Sequence, residues 1–260
     1  MRKLLAAFAT SARERSAYRA ELLGTAVFLG ILLFIFSRLW IAVGQEQGTG
    51  RYSVAKLLFY LVVTELVTMS PGNVHVRIGD DVKSGEIALA LLRPVGYVPW
   101  ELAKAAGSAF VRLAMLTIFG IPAAFLLVGM PDLEPMGVLI GIGILVPAAV
   151  LVETCVRLLM GLLAFWFEDA APFFWIWQKS SFVLGGLMMP LDLYPQWLRR
   201  VTEVLPFQAL LYGPARTVVD FDPRFALRAF ATLACWGLVL MLLLTVVYDR
   251  GRRRVQVNGG

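Results

Sequence analysis

Five ionisable residues stand inside long apolar runs of this sequence: Glu65, Arg112, Glu153, Arg157 and Lys179. A charge in hydrocarbon is costly, about 2.5–3.5 kcal/mol on insertion scales, so each of them needs an opposite charge or water beside it. Glu153 and Arg157 are four residues apart, which brings both side chains to one face of a helix. That leaves Glu65 to meet Arg112 or Lys179 across helices. By residue count all five fall near the middle of their runs and form a polar seam. The seam has two readings: a lining for a substrate path, or an interhelical clamp of buried pairs that fixes packing. The run Phe173-Phe174-Trp175-Ile176-Trp177 adjoins Lys179. Phe174 and Trp177 belong either to the wall of a path for an amphiphile or to an interfacial aromatic belt.

Other chemistry is thin. No G-x-x-x-x-G-K-S/T segment occurs, so the chain carries no P-loop for a nucleotide. The single histidine, His75, falls in a loop and reads as a surface residue. Neither a metal site nor a Ser-His hydrolase can be assembled around it, and no catalytic residue, metal or cofactor is assigned to this chain. Glu65, Glu153 and Lys179 make an acid–base set for an intramembrane lipid-modifying enzyme only if forced together. A secondary transporter would favour internally repeated halves and interrupted spans, and neither is visible.

The elements that must hold these residues follow from composition. Of 260 residues, 59% are hydrophobic and 16% charged, which excludes a soluble domain of this size. A bilayer core of roughly 30 Å needs about 20 apolar residues per helix. The expectation is an all-α polytopic membrane protein, a single domain over residues 1–260 with six spans. These are about Leu22–Val43, Tyr52–Thr68, Trp100–Val128, Met136–Phe167 (with Pro147 available for a kink), Phe173–Met189 and Phe225–Tyr248. Residues 1–21 read as a basic amphipathic helix on the membrane surface. Cys155 and Cys235 sit in apolar runs and imply no disulfide framework. The net charge of +6 is concentrated in tails and loops beside the spans, a topology signal that predicts no nucleic-acid partner. Six spans place both termini, the basic 249–260 tail and the 72–98 loop on one side, which the positive-inside rule makes cytoplasmic.

Two segments between spans stand out. In 72–98, Asp80 or Asp81 can cap a helix N-terminus and Gly85 can punctuate it. Ile87, Leu89, Leu91 and Leu92 then give an apolar surface that Arg93-Pro94 ends; such an element suits contact with a soluble partner. In 190–224, Pro190, Pro195, Pro206, Pro214 and Pro223 bracket two short helices, Gln196–Val204 and Phe207–Val218. Trp197, Phe207 and Tyr212 suggest that both lie at the outer interface. Gly137 and Gly141 form a G-x-x-x-G compatible with close helix contact.

The order and spacing of these features resemble the permease subunits of ABC-2-type ATP-binding-cassette exporters. The likeness rests on Ser84-Gly85-Glu86-Ile87 and Leu91-Leu92-Arg93-Pro94, on the run from Gly185-Gly186 through Pro190 and Pro195 to Trp197-Leu198, and on Leu205-Pro206-Phe207 followed by Tyr212-Gly213-Pro214. It is similar to a bacterial branch often encoded with a second permease and one ATPase. The resemblance implies alternating access in the bacterial inner membrane, exporting an amphiphilic or hydrophobic substrate such as a drug, antibiotic or lipid. It implies cytoplasmic ATPase subunits that bind the ATP and Mg, and a second permease, identical or paralogous. It also implies coupling to the ATPase through Arg77, Asp80, Asp81, Ser84, Gly85 and Glu86. An extracytoplasmic gate would be formed by Pro190, Pro195, Trp197, Pro206, Tyr212 and Pro214.

Overall fold

In a bilayer the backbone must satisfy its own polar groups, so long apolar runs fold as helices. The computed structural model describes residues 2–46, 51–87, 96–167 and 169–258. Within them the chain is all-helical, and five helices are long and apolar enough to cross a membrane. In order, the elements are α1 (Arg2–Ala17), α2 (Arg19–Glu46), α3 (Val54–Met69), α4 (Val74–Lys83) and α5 (Tyr97–Val128). Then come α6 (Pro135–Ile140), a π turn (Gly141–Leu145), α7 (Val146–Leu162) and a 3-10 turn (Leu163–Phe165), which stack as one long run. The remainder is α8 (Ala171–Leu184), a 3-10 turn (Leu191–Leu193), α9 (Gln196–Val204), a π turn (Gln208–Tyr212), α10 (Gly213–Val219) and α11 (Pro223–Asn258).

The bundle is built around α3. Every residue from Leu57 to Val67 is buried, the signature of a helix apolar all round, and α2, α5, α7 and α10 pack on it. Ser53 starts it by accepting the Lys56 N–H at 3.2 Å, an N-cap bond. The outer helices α2 and α11 keep much of their apolar surface exposed, including Phe28, Ile31 and Phe34 on one and Leu227, Leu238 and Leu242 on the other. Such a surface faces lipid rather than water.

Three expectations change. The fifth span is not a full-length helix: α8 has 14 residues, about 21 Å at ~1.5 Å per residue. Gly185 to Pro190 follow as irregular backbone. The basic tail is not a separate segment either, because α11 runs on as one helix to Asn258. The ring of Tyr248 stacks on Tyr97 at 5.1 Å, and Gly251 lies against Phe165. Finally, Phe207 and Tyr212 are buried in the bundle (8% and 2% exposed) rather than placed at an interface, whereas Trp197 is exposed.

Prolines explain the two π turns. Pro147 and Pro214 each lack an N–H and crowd the preceding turn, and each stands two residues past the end of a π turn that shifts the hydrogen-bond register. Between these places the G-x-x-x-G is a true contact. A Cβ on Gly137 would meet the Thr217 carbonyl oxygen at 2.6 Å, and one on Gly141 would meet Val218 Cγ2 at 2.3 Å. Gly143 has only ordinary contacts. Gly141→Ala should therefore cost about 1–3 kcal/mol by overpacking, seen as a lower unfolding midpoint in detergent, while Gly143→Ala leaves the midpoint unchanged.

Candidate functional site

The last carbonyls of a helix have no partner within it. At the end of α3 that deficit is met by Arg157 of α7. Its Nη2 donates to the Thr68 carbonyl at 2.5 Å, its Nη1 to the Gly72 carbonyl, and its Nε to Glu153 Oε1 at 3.2 Å. Gly72 turns the chain with φ +62°, a left-handed conformation that only glycine adopts without strain. Glu153 Oε2 in turn accepts the Trp177 indole N–H at 3.1 Å, which ties α8 to α7. The guanidinium carbon of Arg157 lies 5.2 Å from the centre of the Phe174 ring, and the same ring stacks on His75 of α4 at 3.6 Å. His75 is thus a half-buried helix residue, not a loop residue at the surface.

These groups line a cavity of about 310 Å³ between α2, α3, α7 and α8. The structure brings Glu65, Glu153, Arg157, Phe174, Trp177 and Lys179 around it and leaves Arg112 out. Arg112 instead pairs with Glu21 at 2.7 Å, and Glu21 also pairs with Arg15 at 2.5 Å. The reason is one of depth. At 32 residues, α5 is about 48 Å long, well beyond the roughly 30 Å of a bilayer core. Its first half runs beside α1, with the Phe8 carbonyl seated over Gly107. A helix this long does not fix its midpoint at the centre of a bilayer. Nor does Lys179 pair with Glu65: it is exposed, with Nζ 5.6 Å from the Trp175 ring centre. Among the described residues Glu65 accepts only the Thr68 hydroxyl, at 3.0 Å.

At the other end of α4 the proposed coupling residues divide. Arg77 is held within the chain by Glu101 at 2.7 Å and Asp81 at 3.4 Å, and Lys104 adds a second cation to Glu101 at 2.8 Å. Asp80, Ser84, Gly85 and Glu86 are exposed. Neither aspartate caps a helix start. Both lie in the last turns of α4, whose C-cap is Ser84, while Gly85 ends it with φ +77°. Leu89, Leu91 and Leu92 of the expected apolar surface, and the Arg93-Pro94 that ends it, lie outside the described residues. Gly161 on α7 lets α4 pack closely, since a Cβ there would meet Ile78 Cβ at 2.7 Å and the His75 carbonyl oxygen at 2.9 Å.

Sequence reasoning missed a second cluster. The irregular backbone after α8 is met by hydroxyls of α3: Tyr60 donates to the Gly186 carbonyl at 2.5 Å and Thr64 to that of Leu187 at 2.7 Å. Asp192 accepts the Tyr52 hydroxyl at 2.7 Å and faces Arg199 and Arg216 at 3.7 and 3.8 Å. Burial alone would raise its carboxyl, but the nearby Tyr212 hydroxyl, the hydrogen bond from Tyr52 and the two arginines hold it below its ordinary value. Its contribution to stability is therefore present above the ordinary carboxylate range and is lost as pH falls through the lowered value. Of the six gate positions, Pro190, Pro206, Tyr212 and Pro214 are buried, and Pro195 and Trp197 are exposed. Among the described residues no group of three or more His, Cys, Asp or Glu could hold a metal ion.

A family model described as ABC-2 family transporter protein matches residues 23–259. The chain belongs to the ABC-2 transporter family. It is a membrane permease component of an ATP-binding-cassette transporter, of a family that works with an ATPase subunit. A comparison with curated proteins found no match. The match spans α2 to α11, so every charge around the permease cavity lies within it.

The network at the end of α3 predicts which permease charges are structural. Arg157→Met strands Glu153 and two carbonyls, a loss on the order of 3–5 kcal/mol, and Glu153→Gln in the same chain should recover part of it. Lys179→Met, with no ion pair to break among the described residues, should stay within about 0.5 kcal/mol of the unchanged protein. Unfolding midpoints in detergent of the three variants test both statements.

Proposed function

We propose that this chain pairs with a second permease, identical or paralogous, in a bacterial inner membrane. The pair exports an amphiphilic or hydrophobic substrate by alternating access, driven by ATP hydrolysis in separate cytoplasmic subunits. The observation that carries this reading is α4. It presents exposed Asp80, Ser84, Gly85 and Glu86, yet it is fixed to α7 at Gly161 and to α5 through Arg77 and Glu101. A short polar surface fastened to two long helices is suited to receive a push from a soluble motor and pass it on as a rigid body. The family membership supports the motor's identity as an ATP-binding-cassette ATPase.

In this reading α8 and the irregular backbone after it complete a sixth crossing, so both termini lie in the cytoplasm. The segment 190–224 enters the outer leaflet and returns, with α10 packed inside the bundle and α9 on its surface. Arg77 and Asp81 serve mainly to hold α4, while Asp80 and Glu86 meet the partner.

Two measurements test it. Co-purification should recover an ATPase subunit, and Asp80→Arg with Glu86→Arg should abolish its stimulation by transported compounds while membrane insertion is unchanged. Full stimulation in that double variant sinks the assignment of α4. Single cysteines along 196–219, with the native cysteines replaced, should react with an impermeant reagent at Trp197 and Val201 but not at Ala215 or Val218. Uniform reaction would show a solvated loop instead.

A further inference from the structure

Of the charged groups lining the cavity between α2, α3, α7 and α8, all but one are accounted for. Glu153 answers Arg157 and takes the Trp177 indole proton. Arg157 spends its donors on Glu153 and on the carbonyls of Thr68 and Gly72. Lys179 stands exposed beside Trp175. Glu65 is different. It is 6% exposed, the Thr68 hydroxyl is its single hydrogen-bond donor, and among the described residues no basic group comes within ion-pair distance of it. A carboxylate can accept several hydrogen bonds, so one buried with a single hydroxyl is left incompletely satisfied.

The surroundings say what could satisfy it. Phe28, Phe174, Trp177 and Phe182 give the cavity aromatic walls. Phe28 and Phe182 are themselves exposed, so the cavity opens sideways between α2 and α8. Aromatic faces attract cations and tolerate apolar bulk, and a mostly apolar pocket with one well-placed polar group is the usual form of a small-molecule site. An anion would find each nitrogen of Arg157 already engaged by a protein acceptor and Lys179 at the exposed edge of the cavity beside Trp175. We propose that the cavity binds an amphiphilic organic cation, with Glu65 as its counter-charge and the aromatic rings as its walls. This names a substrate class for the transporter proposed above and rests on that reading for transport, though not for binding.

The test is equilibrium binding to the purified full chain in nanodiscs of zwitterionic lipid, with empty nanodiscs subtracted. The probes are tetraphenylphosphonium and tetraphenylborate, which share shape and differ in the sign of their charge. The phosphonium should bind at least about tenfold more tightly than the borate, a difference of about 1.4 kcal/mol. Glu65→Gln should lose most of that preference and Glu65→Asp should keep it, both with unfolding midpoints near that of the unchanged protein. Equal binding of the two probes, or undiminished phosphonium binding by Glu65→Gln, overturns the proposal. A second measurement needs no variant: dicyclohexylcarbodiimide, which labels carboxyls in apolar sites, should modify Glu65 more slowly when phosphonium is present but not when borate is. Labelling of Glu65 that phosphonium does not slow counts equally against the site. If binding fails while an ATPase subunit co-purifies, only the cation site falls. If binding holds and no ATPase is recovered, the transporter reading falls and the site stands.

Discussion

One guanidinium organises the centre of this protein. Arg157 closes the carbonyl end of α3, holds the glycine turn that leads into α4, and orients Glu153. Glu153 then fixes Trp177 and with it α8, which packs on α7. A planar fork with five donors suits this task where an ammonium would not, since three acceptors in different directions must be met at once. Three helices and the floor of the cavity thus take their positions from a single side chain near the end of α7.

The same need for backbone satisfaction shapes the far half of the bundle. Non-helical backbone is tolerated at membrane depth only where protein or trapped water receives it. After α8 stops, the carbonyls of Gly186 and Leu187 are met by Tyr60 and Thr64 of the fully buried α3. Glycines at 137 and 141 then let α10 approach the run of α6 and α7 to backbone distance. The irregular segment is therefore buried at Gly185, Gly186 and Pro190 and half-buried between them.

Much of this was legible in the sequence because it is encoded locally. Apolar length marks the five long helices, and prolines at 195 and 206 delimit α9, Gln196–Val204, to the residue. What failed was whatever depends on neighbours. Apolar composition continues from Phe173 to Met189, yet the helix ends at Leu184, because apolarity does not say whether backbone is helical or is satisfied from another helix. Counting residues placed Arg112 at mid-membrane, but depth depends on how far α5 projects, and α1 holds its first half aside. The partner of Arg112, Glu21, stood outside the first span and was never a candidate. Tyr60, Thr64 and Thr68 were readable in principle: polar residues every fourth position in an apolar helix mark one face with work to do. Asp192, a lone acid between two prolines, carried a similar signal.

The ring of Phe174 belongs to two neighbourhoods at once. Its contact with His75 ties it to α4, the helix that ends in exposed Asp80 and Ser84, and it also forms a wall of the cavity. Nothing displaces α4 relative to α8 without sliding those two rings apart or carrying the wall along. Thermodynamic reciprocity makes the relation symmetrical: whatever a bound molecule does to the placement of α4, a protein bound to α4 does in equal measure to the hold on that molecule. A contact made at α4 and a contact made in the cavity would both register in the position of one aromatic ring.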